Sequence, residues 1–117
     1  MKMKRLALFT VLLSLGLLLA ACERKSIGEI NADPGRFMHQ EVMVSGTVTQ
    51  SIGALGHGVY QVDDGTGSIW IYSSRSGVPS KGATVGVKGR VVPTVTFLGI
   101  NYATVMQETE RRFARRG

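Results

Sequence analysis

The sequence predicts an all-β chain, a small five-stranded barrel with one short helix in front of it. Three observations carry that prediction. From Val42 onward, apolar residues recur with a period of two rather than 3.6. The strand-like segments are short and separated by turn-forming stretches, as in "DDGTG" at 63–67 and "SSRSGVPSKG" at 73–82. No long helical pattern is available to cover a sheet, so the free edges are best removed by closure into a barrel.

The N-terminal stretch stands apart from that barrel. Lys2, Lys4 and Arg5 precede an almost entirely apolar run at 6–19, and Ala20-Ala21-Cys22 follows. A basic start, an apolar run of this length and small residues at its end make a secretory signal. The run is short for a membrane-spanning helix, which needs about 20 residues. Cys22 is the single cysteine, so no internal disulfide forms and the barrel must hold by its own core. The formal charge is +6, of which Lys2, Lys4 and Arg5 supply half. Arg111, Arg112, Arg115 and Arg116 crowd the last seven residues, and without them the body is close to neutral. A nucleic-acid-binding protein usually carries a basic patch on its folded body.

The elements then follow in order. Ser26-Ile27-Gly28-Glu29 has the spacing of a capping box, with Ser26 as the N-cap and Glu29 three residues on. The helical turn runs to Asn31 or Ala32, where Asp33-Pro34-Gly35 stops it. Ile27, Ile30 and Phe37 pack this piece onto the barrel end. In the first strand Val42, Val44 and Val48 alternate with Met43, Ser45, Thr47 and Thr49. Gly46 interrupts it, which marks a bulge, a bend or a close backbone approach. "VSGTV" at 44–48 and "VKGRV" at 87–91 read as two strongly coiled strands bending around the barrel. Residues 52–58 read as a Gly-rich loop. Residues 59–63 and 68–73 form a hairpin around Asp64-Gly65-Thr66-Gly67. Residues 73–82 are a loop, and a last strand runs from about 101 to 107 after the Phe97-Leu98-Gly99 turn region. That leaves 109–117 as a basic tail.

Two resemblances sharpen this reading. Leu19-Ala20-Ala21-Cys22 resembles the lipobox of bacterial lipoproteins. It implies a signal peptide at 1–21, a lipid on Cys22 and a short tether at 22–26, in a protein held at the bacterial cell envelope. A plain secreted protein and an uncleaved anchor are the alternatives. Glu23 is not the Asp of that family's retention rule, which implies outer-membrane sorting, facing the periplasm, in a Gram-negative host. The second resemblance rests on Pro34, Phe37, Val42, Val44, Gly46 and Val48, then Tyr60, Val62, Asp63, Gly67, Ile69 and Ile71, then Pro79, Gly82, Val85, Val87, Gly89 and Val91. Over 27–108 the chain resembles the OB-fold, a Greek-key barrel, as found in small bacterial exported OB-fold proteins and tRNA-anticodon-binding-like domains. It departs from larger members by a loop between strands three and four where many insert a helix. OB barrels host many activities, so the resemblance implies fold more than function.

In such a barrel the outer face of strands two and three is the usual ligand platform. With Ile69 and Ile71 facing the core, Trp70 and Tyr72 face outward, flanked by Gln61. Arg75 lies just past the strand and His57 in the neighbouring loop. One reading is a stacking platform for a base, a sugar ring or a peptide aromatic; the other packs Trp70 beneath a loop such as 52–58. Arg111, Arg112, Arg115 and Arg116 suit an anionic surface, lipid headgroups or nucleic acid, or else form a solvated terminus. His39 and His57 lack spaced partners for a metal site. Asp63 and Asp64 offer too few oxygens for Ca²⁺ and fit turn chemistry. No catalytic constellation emerges and no cofactor is implied. The expectation is a non-enzymatic envelope module that binds a protein or small envelope ligand. Single-stranded nucleic acid or a nucleotide-like ligand is the alternative.

Overall fold

The computed structural model describes residues 24–75 and 77–113. The lipobox with Cys22, and the arginines at 115 and 116, lie outside the described residues. The elements are α1 (Ile27–Ala32), α2 (Pro34–Phe37), β1 (Glu41–Ala54), β2 (His57–Asp63), β3 (Ser68–Ser73), β4 (Thr84–Phe97) and β5 (Ile100–Phe113).

The strands close in the order β1-β2-β3-β5-β4, with β4 returning to β1. All neighbours are antiparallel except β3 and β5, which run parallel and pair only at Trp70–Tyr72 against Val105–Gln107. Inward positions alternate as the sequence pattern requires, and Val44, Val48, Val62, Ile71, Val87 and Met106 fill the interior. Ile27, Ile30 and Phe37 close one end. The Ser26 hydroxyl accepts from the Glu29 N–H at 3.1 Å, so the expected cap forms. The β2–β3 turn anchors the same helix end. Ile27 N–H donates to the Asp64 carboxylate at 2.9 Å and Gly28 N–H to the Thr66 hydroxyl at 2.9 Å. Partial burial would raise the Asp64 carboxyl, but hydrogen bonds from Ile27, Thr66 and Gly67 outweigh it and hold it below its ordinary value. Asp63 and Asp64 are therefore occupied by turn and helix contacts.

The two glycine-centred pentapeptides do act as one device used twice. A Cβ on Gly46 would lie 2.2 Å from the Asp63 carbonyl oxygen, and one on Gly89 would lie 2.2 Å from that of Gln107. Each glycine pairs with the partner strand's valine, Gly46 with Val85 and Gly89 with Val42. The ladder shifts register close by, between Val48 and Gln50 and between Lys88 and Gly89. These bulges bend β1 and β4 so that both outrun the barrel.

Several expectations need correction. Pro34 does end α1, but it also opens α2, at a helix-start position where its missing N–H has no partner to lose. Residues 52–58 are not a loop: β1 continues to Ala54 and only Leu55-Gly56 turns before β2. The glycines there serve close approach, since a Cβ on Gly58 would meet the Ile52 carbonyl oxygen at 2.3 Å. β5 runs on to Phe113, six residues past its expected end, pairing Arg111 with Val87 and Arg112 with Gly86. Residues 109–113 are therefore strand rather than tail.

Candidate functional site

The outer face of β2 and β3 carries a second apolar cluster, separate from the barrel interior. Val59, Phe97, Tyr102 and Val105 are buried in it, with Trp70, Tyr72 and Val95 half-buried against them. Cross-strand pairing sets the face: Trp70 stands opposite Gln61 and Tyr72 opposite Val59. The cover comes from the far halves of β4 and β5, residues 93–104, which extend beyond the barrel ladder as an arm and pack on this face through Phe97 and Tyr102. Trp70 packs on Tyr102 with ring centroids 4.8 Å apart, and Tyr72 on Phe97 at 6.4 Å, both tilted by 59°. Such offset aromatic pairs add about 0.5–1.5 kcal/mol beyond area burial.

A shorter arm, the far end of the β1–β2 hairpin, meets the first. The His57 ring stands edge-on to Phe97 at 5.4 Å, and Ile52 and Ala54 join the cluster. Both arms end in the same two-residue turn, Leu55-Gly56 and Leu98-Gly99. Both leucines take positive φ, 54° and 50°, where Asn, Asp or Gly is the usual occupant. Leu55 is 97% exposed, and Leu98 and Ile100 are also exposed. Each tip thus presents a leucine where both sterics and solvation would favour a polar or small residue.

The sequence-predicted residues fall into three groups. Trp70, Tyr72, Gln61 and His57 do share this face. Trp70 is covered by the β4–β5 arm, however, rather than standing open or lying beneath a 52–58 loop. Gln61 is tied to Thr49 Oγ1 at 3.1 Å and to Gln50 Nε2 at 3.2 Å. His57 belongs to β2, not to a loop, and its buried Nδ1 has no hydrogen-bond partner. Arg75 separates from the aromatics and lines a cavity of about 340 Å³ with Ser74, Glu108 and Thr109. Of the tail arginines, Arg112 is exposed and pairs with Glu110 at 3.1 Å, while Arg111 turns inward.

Sequence reasoning missed what Arg111 does there. Its guanidinium pairs with Glu108 at 3.2 Å, with only 9% and 6% of the two side chains exposed. It also donates to the Gly77 carbonyl at 3.3 Å and lies 5.4 Å from the Tyr60 ring centroid. Glu108 accepts from the buried Tyr60 hydroxyl and, at 3.1 Å, from Ser73 Oγ. This cluster plugs the seam where β3 and β5 share only three residue pairs. Burial, then the Glu108 carboxylate, push the Tyr60 hydroxyl well above its ordinary value, and Arg111 offsets only part. A raised folded-state value means that the stability Tyr60 contributes is fully present below its unfolded value of about 10 and is lost above it. Urea midpoints measured from neutral pH upward are therefore expected to hold to about pH 10. Above that, stability should fall by up to ~1.4 kcal/mol per pH unit, less steeply in Tyr60→Phe.

Among the described residues no three His, Cys, Asp or Glu side chains come together as a metal site. No protein-family model matches the chain, and no curated protein matches it. Solved structures do. An OBody, AM3L09, in its structure bound to hen egg-white lysozyme is 18% identical, with a TM-score of 0.53 over 70% of this chain and 88% of that one. A Replication Protein A heterotrimer bound to single-stranded DNA is 16% identical, with a TM-score of 0.46 over 64% of this chain and 57% of that one. The S. pombe Stn1-Ten1 complex is 16% identical, with a TM-score of 0.44 over 64% and 58%. This chain thus spans less than two thirds of the last two. The chain has the OB-fold. At 18% identity the likeness to the OBody concerns the fold alone, and it agrees with the closed β1-β2-β3-β5-β4 barrel.

Proposed function

We propose that this OB-fold chain is a non-enzymatic binding module. A lipid on Cys22 would hold it at the bacterial cell envelope, at the outer membrane facing the periplasm in a Gram-negative host. There it engages a protein through the outer face of β2 and β3 and the two arm tips. One observation carries the reading: this face is aromatic and aliphatic, with Leu55, Leu98 and Ile100 exposed at its rim, and the segments that build it, 49–63, 68–73 and 92–105, contain no Lys or Arg. Protein interfaces are organised around such anchors, whereas a polyanion requires cations. The buried Tyr60–Glu108–Arg111 cluster is mutually paired, which suits a structural role better than a catalytic one.

A second reading is favoured by Trp70 and Tyr72, half-buried at successive outward positions of β3. If the arm lifts, both rings are offered to the bases of a single strand, or to a nucleotide-like ligand, at about 1–3 kcal/mol per base. One experiment separates the two. A photo-crosslinking residue replaces Leu55 or Leu98 in the full chain within its own membrane, with Arg36 as the control position. The protein reading expects an adduct of defined mass from the tips alone, weakened by Trp70→Ala. No adduct, with oligo(dT) quenching Trp70 emission in a strongly salt-dependent way, selects nucleic acid instead.

A further inference from the structure

The outer face of β1, β4 and β5 carries a second surface, made from the barrel halves of those strands rather than from the arms. The described chain begins on it. Arg24 bridges to Met43, Lys25 N–H donates to the Met43 carbonyl at 2.7 Å, and Arg24 Nη1 donates to Ser45 Oγ at 2.6 Å. Strand register carries this point across the sheet, from Ser45 to Gly86 to Arg112. The next outward rows are Met43, Lys88 and Glu110, then Glu41 and Arg90. Nothing stands within 4 Å of where a Gly86 Cβ would be. Gly86 instead lines a cavity of about 250 Å³ with Met43, Lys88, Glu110 and Arg112. Lys88 pairs with Glu41 at 3.3 Å and Arg112 with Glu110 at 3.1 Å. Arg24, Lys88, Arg90 and Arg112 thus face two carboxylates, and the face keeps a positive excess. Lys25 lies to one side, beside Asp64.

We infer that this face docks on an anionic lipid surface, with the Gly86 cavity receiving headgroup phosphates between Lys88 and Arg112. The inference rests on the membrane attachment proposed above, not on the protein-partner reading. Two observations choose the occupant. Cys22 lies two residues before Arg24 and the apolar run ends at residue 19. At about 3.5 Å per extended residue, attachment at Cys22 leaves roughly 7 Å of tether. That is within the ~8–10 Å screening length of physiological salt, so the bilayer charge reaches these side chains. Charge complementarity is the second, because basic side chains beside an attachment point are the usual partner of anionic headgroups. With this face down, the aromatic face of β2 and β3 lies on the side of the barrel turned away from the bilayer.

The closed barrel and its core lie within residues 24–113, so a form starting at Arg24 is expected to fold without the anchor. Its sedimentation with vesicles of phosphatidylcholine plus phosphatidylglycerol is compared with that on phosphatidylcholine alone. Binding is expected on the anionic vesicles only, falling with salt. Arg24→Gln and Arg112→Gln should each weaken it about fivefold. Arg36→Gln, the same charge change on α2, should weaken it less than twofold, and Trp70→Ala should leave it unchanged. Equal binding to both vesicle types, or an equal loss from Arg36→Gln, overturns the inference. So does tighter binding of oligo(dT) than of vesicles through the same arginines. Failure of palmitate labelling at Cys22 in cells would remove the tether while the vesicle result still decides the face.

Discussion

Arg111→Met is expected to cost about 3–5 kcal/mol of folding stability, the range for removing one partner of a buried ion pair. At roughly 4 °C or more per kcal/mol for a domain of this size, Tm should fall by at least ~12 °C. The cause is the carboxylate left behind. Glu108 is 6% exposed and would keep donors from Tyr60 and Ser73 but lose Arg111, its one ion-pair partner among the described residues. Methionine preserves much of the length that Arg111 lays against Tyr60 and Phe113, so the loss reports charge more than packing. Adding Glu108→Gln to the same chain should recover a large part of it, since a neutral amide accepts from Tyr60 without needing a cation. Urea titration of the three variants measures this directly. A solvated tail arginine would behave otherwise, within about 0.5 kcal/mol of the parent. An effect that small would return Arg111 to the surface role its sequence context suggests.

That contrast marks the boundary of what the sequence made legible. Period-two alternation placed β2 and β3 and their turn, because one face of each strand must be apolar to be buried. Ser26 and Glu29 announced the helix start through local chemistry. The ends of the long strands were not legible for a related reason. Gly53, Gly56 and Gly58 have loop composition, yet Gly53 and Gly58 are opposed strand residues that let two backbones pass closely. Composition does not separate a glycine needed for a turn from one needed for contact. Arg111 meets Gly77, 34 residues away, and Glu108 meets Tyr60, 48 residues away, so nothing local could pair them. The arm had left a signal. Val95, Phe97 and Tyr102 flank the Leu98-Gly99 turn with strand-like spacing, and Pro93 is tolerated because β4 has already left β1 there. Trp70 was placed on the correct face, but what lay above it depended on the length of an element whose end the sequence did not show.

Gly89→Ala is expected to cost about 3 kcal/mol or more, at or above the upper end of overpacking losses. The new Cβ would stand 2.2 Å from the Gln107 carbonyl oxygen, with Met106 Cγ at 3.1 Å. The first of these is backbone of a paired strand, which cannot swing aside as a side chain can. Gly86→Ala, three residues earlier on the same strand, meets nothing within 4 Å and should stay within about 0.5 kcal/mol of the parent. The comparison holds strand, chemistry and volume constant and changes only the approach distance. It also reaches the candidate site. The register shift at Lys88/Gly89 is where β4 bends before residues 93–104 cross the outer face of β2 and β3. Forcing β4 and β5 apart at that bend should lift Phe97 and Tyr102 from Tyr72 and Trp70. Trp70 emission would then move to the red, and iodide quenching would rise, in the population that remains folded. A folded Gly89→Ala with unchanged Trp70 emission would mean that the arm is held by its own aromatic contacts. The same result in a strongly destabilised variant would separate the two uses of the glycine, one closing the barrel and the other aiming the arm.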